Sequence, residues 1–139
     1  MKRKKLIAAI IIFLLVALTI AFFTLTYTKE GNALIATNFI KNEATYKFDG
    51  IPGSFKLNYT LPLKCMYCWE FYFEYQSRNS GYGDRTNVIV NPVVTNHTAV
   101  IVMENGTIKS AVLDNKWDMK TQKLIELTIQ PQPQRRRLR

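Results

Sequence analysis

Hydrophobic positions along the chain follow two regimes, one continuous and one periodic. From Leu6 to Phe23, eighteen residues carry no charge and only Thr19 is polar; Thr24–Leu25 extends the run to about twenty. At 1.5 Å per residue such a helix reaches about 27–30 Å, the thickness of a bilayer's hydrocarbon core. The run is longer than the roughly 7–15 apolar residues of a cleaved signal peptide. Thr24-Leu25-Thr26-Tyr27-Thr28 follows it in place of a small-x-small cleavage site. An uncleaved transmembrane anchor is therefore expected over residues 6–25, with a cleaved signal as the alternative.

Beyond a linker at 26–30 the pattern becomes periodic. Gly31 to Lys41 predicts a short amphipathic helix, with Leu34, Ile35 and Phe39 on one side. The period then drops to two. Tyr46 and Phe48 alternate with Thr45 and Lys47, the chain turns through Asp49-Gly50-Ile51-Pro52-Gly53, and Phe55, Leu57 and Tyr59 alternate with Lys56 and Asn58, predicting a hairpin. Trp69, Phe71, Phe73 and Tyr75 line one face of a further strand and Glu70, Tyr72, Glu74 and Gln76 the other. Nothing basic interleaves those rings, so they read as core and not as a stacking platform for bases. Val88 to Val94, interrupted by Pro92, predicts an edge or bulged strand, because proline removes a ladder donor.

Asn105-Gly106 is the preferred centre of a type I′ hairpin, both of whose turn positions need positive φ. Folding Ala99–Leu113 about it pairs Glu104 with Thr107, Met103 with Ile108, Ile101 with Ser110 and Ala99 with Val112. Asp114-Asn115 makes another turn and Trp117 supplies an anchor. Asp118 could cap a helix toward Leu127, or Ile125, Leu127 and Ile129 could form a final strand; the pattern allows both. Pro131 to Gln134 breaks regular structure, and residues 131–139 read as a disordered basic tail. The whole predicts an α+β domain over residues 31–130, one helix packed on an antiparallel sheet of about five strands, an element order shared with cystatin-like folds.

Charge changes the picture less than its total suggests. The 139 residues hold 19 Lys+Arg against 10 Asp+Glu, a net +9. Eight of those positive charges, however, are Lys2, Arg3, Lys4 and Lys5 at one end and Arg135, Arg136, Arg137 and Arg139 at the other. The near-neutral middle excludes a basic nucleic-acid-binding face. Four basic residues before the apolar run, and a cancelling Lys29 and Glu30 after it, place residues 1–5 in the cytoplasm and the domain outside the membrane. The arginine tail would then meet lipid or an acidic surface polymer.

Candidate chemistry is sparse. Cys65-Met66-Tyr67-Cys68 can close a small disulfide in an oxidising compartment. A redox-active pair would want its first cysteine at a helix N-terminus, and here a strand follows. His97, the one imidazole, reads as a surface or strand-end residue; with Cys65 and Cys68 it could complete a soft-metal site, with Met66 or water as fourth ligand. A Ser/His/Asp triad would need His97 as its base. Asn58, Asn96 and Asn105 open N-x-S/T triplets that fit the glycosylation pattern. Gly81-Tyr82-Gly83-Asp84-Arg85 could present charges to a partner, or hold an Asp84–Arg85 ion pair. No phosphate loop, paired catalytic carboxylates or nucleophile elbow is visible, so neither an enzyme nor a cofactor is expected.

The blocks Tyr46-Lys47-Phe48-Asp49-Gly50-Ile51, Cys68-Trp69-Glu70-Phe71, Gly81-Tyr82-Gly83-Asp84-Arg85-Thr86, Glu104-Asn105-Gly106, Ser110-Ala111-Val112 and Lys116-Trp117-Asp118-Met119 come in that order. They resemble a prokaryotic family, often archaeal, of small extracytoplasmic domains on an N-terminal anchor, without an assigned activity. The resemblance spans about Ala33 to Gln122 and implies class and location, with no catalytic residue. The expectation is a membrane-tethered binding or structural module that contacts an envelope protein or surface polymer through a sheet edge or the Gly81–Arg85 loop. An extracytoplasmic thiol or metal protein is the alternative, and a protease-inhibitor-like module a weaker one.

Overall fold

The computed structural model describes residues 2–125. Its first element, α1 (Lys2–Tyr27), contains the apolar stretch Lys5–Thr24, long and apolar enough to cross a membrane and with none of that stretch buried in the protein. Thr28 breaks the helix. Its backbone is extended (φ −102°, ψ 154°) and its Oγ1 accepts from the Gly31 amide at 3.1 Å, capping α2 (Lys29–Asn42). The second helix matches the expected element. Its buried stripe is Asn32, Ala36 and Ile40, however, with Ile35 and Phe39 at the margin and Leu34 exposed.

Residues 44–49 form a second short helix, α3 (Ala44–Asp49), where alternation predicted a strand. The cause is Glu43. Its carboxylate accepts from the amides of Thr45 (2.9 Å) and Tyr46 (3.4 Å), satisfying donors that a helix start leaves free. Tyr46 then turns inward against Tyr75 and Phe55, with ring centroids 5.0 and 5.7 Å away. A 3₁₀ turn over Pro52–Ser54 leads into the sheet.

Six strands follow: β1 (Lys56–Pro62), β2 (Cys68–Ser77), β3 (Thr95–Glu104), β4 (Thr107–Leu113), β5 (Trp117–Asp118) and β6 (Lys123–Leu124). They form one antiparallel sheet in the order β1-β2-β3-β4-β5-β6, a meander close to the five strands expected. Strand β1 pairs with β2, not with residues 46–48. Strands β2 and β3 pair directly over ten residues each, so Val88–Val94 finds no slot between them and belongs to the loop that joins them. The Asn105-Gly106 turn forms with φ of 50° and 74°. Its first two pairs are as expected. A bulge then skips Lys109, so Val102 faces Ser110, Ile101 faces Ala111 and Ala99 faces Leu113.

The core lies between α2, α3 and one sheet face: Ala36, Ile40, Tyr46, Phe71, Phe73, Tyr75, Ala99, Ile101, Met103, Ala111, Leu113 and Met119, with Trp69 and Trp117 at its border. Beyond Leu113, Asp118 caps a turn, not a helix: its Oδ1 accepts from the amides of Lys120 (2.8 Å) and Thr121 (3.1 Å). Leu127 and Ile129 of the alternative strand, and the tail 131–139, lie outside the described residues.

Candidate functional site

Strand β2 carries the chain between two ends of the domain, and polar chemistry gathers at each. The end near α1 holds the Cys65–Cys68 disulfide, in the turn between β1 and β2. Cys68 is buried and Cys65 exposed. Tyr67, inside the four-residue ring, takes φ 57°, and its carbonyl accepts from the Asn105 amide at 3.1 Å, joining this turn to the next hairpin's. Asn32 links α2 to the same place, its Oδ1 accepting from the Gly106 amide at 3.0 Å.

At the opposite end stands a Ser–His–Asp arrangement. His97 Nδ1 lies 2.7 Å from Asp114 Oδ2, and Nε2 lies 3.0 Å from Ser77 Oγ. His97 is 2% exposed, which corrects the expectation of a surface residue. The signal was present in the alternation: Met103, Ile101 and Ala99 face inward, and two residues further back on the same face is His97. Ser77 likewise continues the row of Phe71, Phe73 and Tyr75.

Those distances suit an acyl-transfer triad, but the surroundings do not. Ser77 is 0% exposed, and its hydroxyl donates to the Asn79 carbonyl at 2.6 Å. A nucleophilic serine must face a substrate and give its proton to the imidazole. Here the histidine closes the sheet's end instead. Tyr75 packs on its ring at 5.1 Å and Tyr82 at 5.9 Å. Burial pushes the Asp114 carboxyl upward, but hydrogen bonds from His97, the Thr98 amide and Tyr82 outweigh it, leaving the group below the usual carboxylate range. In return, burial and then the Asp114 charge push the Tyr82 phenol up to about 12.

The Gly81–Arg85 loop is built into the same end. Arg85 is buried and pairs with Asp49, Nη2 to Oδ1 at 2.7 Å, not with Asp84. A second guanidinium nitrogen, Nη1, bonds the carbonyls of Ser80 (2.8 Å) and Gly81 (2.6 Å), while Nε is buried without a hydrogen-bond partner among the described residues, and the guanidinium lies 4.7 Å from the Phe48 ring centroid. Asp49 Oδ2 accepts from the amide and the side chain of Asn79, both at 2.8 Å. Tyr82 stacks on Trp117 (5.7 Å), and Gly83 sits so close to that indole that a Cβ would meet it at 3.0 Å. Of the five residues expected to meet a partner, only Gly81 and Asp84 are exposed, and Asp84 is turned back on Thr86.

The structure does not bring Cys65 and Cys68 near His97. Cys68 pairs with Glu104, and His97 lies seven residues earlier on β3, about 23 Å away at strand rise. Among the described residues no group of three or more His, Cys, Asp or Glu could hold a metal ion. Asn58, Asn96 and Asn105 are exposed, on β1, on β3 and in the hairpin turn respectively. Sequence reasoning missed the loop's apolar tip: Val88, Ile89, Val93 and Val94 are exposed, Ile89 completely. No family model, no curated protein and no solved structure matches the chain.

Proposed function

We propose that the chain is a single-pass, membrane-anchored extracytoplasmic binding module. Helix α1 holds it in the bilayer, Lys2 to Lys5 stay with the cytoplasmic leaflet, and the Val88–Val94 loop meets another envelope protein at the end remote from α1. One observation carries this reading. The groups that could do chemistry at that end, Ser77, His97, Asp49 and Arg85, are buried and bonded to one another or to backbone. Their neighbour in sequence, Val88–Val94, presents aliphatic side chains to solvent, beside an anchored rather than a mobile start, since the Val88 amide donates to the Arg85 carbonyl at 3.1 Å. Contiguous exposed apolar surface on a small domain marks an interaction site. The buried network fixes the base of the loop and leaves its tip free to be covered.

The test is a photo-reactive amino acid at position 89 of the full chain in intact cells. A discrete protein adduct that disappears when Val88 and Val93 are changed to serine is the expected result. Adducts to lipid alone, or a protein adduct indifferent to those changes, would refute the reading.

A further inference from the structure

The opposite end carries a second surface. Tyr27 lies three residues beyond Thr24, the end of the apolar stretch of α1, which puts it about 4.5 Å past the hydrocarbon boundary of a membrane spanned by that helix. That is the headgroup depth at which tyrosine, apolar in its ring and polar at its tip, is enriched. Phe23 packs on Tyr27 from below, centroids 4.7 Å apart. Tyr67 meets Tyr27 edge-on at 4.9 Å. The disulfide turn is therefore held at the depth of the helix end by an aromatic clasp.

What that turn shows outward is suited to the place. Met66 is 75% exposed, at the tip of the Cys65–Cys68 ring, and Leu63 and Lys64 flank it, also exposed. An unbranched thioether and a leucine can enter the acyl boundary while a lysine reaches phosphate. The turn is rigid enough to be placed. The disulfide closes it, and the Asn105 amide bonds the Tyr67 carbonyl behind it.

We infer that the turn Leu63–Cys68 beds in the interfacial layer of the same bilayer that holds α1, giving the domain a second point of membrane contact. The inference rests on the membrane-anchored reading of α1. With two contacts the domain stands at a set angle, and the far ends of β2 and β3, ten residues of strand away, are held at a fixed height of at most about 30 Å above the lipid. A single flexible tether would hold neither angle nor height.

The experiment places a diazirine-bearing amino acid at position 66, or separately at position 89, in the full chain reconstituted into vesicles of phosphatidylcholine and phosphatidylglycerol. After illumination, mass spectrometry counts lipid adducts, and flotation reports whether the chain is in the membrane. Expected are several-fold more lipid adducts from position 66 than from position 89, reduced toward the position-89 level when Tyr67→Ser opens the clasp. If the chain floats with the vesicles but position 66 labels lipid no more than position 89, or labels only neighbouring protein chains, the second contact is wrong and the anchor stands. If the chain does not float, the anchored reading itself fails and this inference with it.

Discussion

Arg85 and Asp114 are the residues on which the far end of the domain depends most. Arg85 forms a buried ion pair with Asp49 and ties two loop carbonyls. Removing one partner of such a pair strands the other's charge, so Arg85→Met should cost about 3–5 kcal/mol, read as a shift in the urea midpoint. Asp114 makes a pH-dependent contribution of definite sign. Its folded pKa lies below the 3.8 of the free group. The stability it supplies is complete above that value and is lost as pH falls below it toward the folded pKa. Asp114→Asn should cost about 1–3 kcal/mol at neutral pH and flatten the acid limb of the stability curve below about pH 4. An unchanged acid limb would place the acid sensitivity elsewhere.

Among the elements, α3 shows where reading from sequence stops. Thr45 to Phe48 alternate as a strand would, and only Glu43 turns them into a helix. Glutamate is not among the preferred cap residues, so the cap is visible only once the fold has buried it. The same carboxylate also accepts from Trp117 Nε1 at 3.2 Å and Gln122 Nε2 at 2.9 Å, residues more than seventy positions away. Glu43→Ala should therefore uncap α3 and take the Trp117 indole's partner away, leaving Gln122 Nε2 with the Met119 carbonyl, costing about 2 kcal/mol or more, with loss of near-ultraviolet circular dichroism from Trp117. By contrast, α2, β2 and the Asn105-Gly106 hairpin were legible, because period and turn chemistry are local. Two further features were not. The bulge at Lys109 depends on how β3 and β4 twist together, and the Val88–Val94 loop resembles a strand in composition while β2 and β3 have already taken each other as neighbours. Of the candidate site, the cysteines' pairing could be read from spacing. The His97 contacts needed Ser77 and Asp114 to be brought in from 20 and 17 residues away.

For the molecule as a whole, the two ends are separable. The disulfide closes only a four-residue ring, so replacing Cys65 and Cys68 by serine should cost about 2 kcal/mol and leave the far-end network intact, as judged by an unchanged acid limb. Conversely, Val93→Asp changes an exposed side chain of the loop; it should leave stability within about 0.5 kcal/mol while abolishing the protein adduct formed from a probe at position 89. The order of the strands has one more consequence. Each strand pairs with the next in the chain, and α2, which covers them, comes first. On the proposed anchored reading, a chain threaded across a membrane behind α1 would add one strand at a time to a roofed edge as it emerges, each with its neighbour already in place, and local pairing of this kind is fast. Order along the chain and order across the sheet coincide.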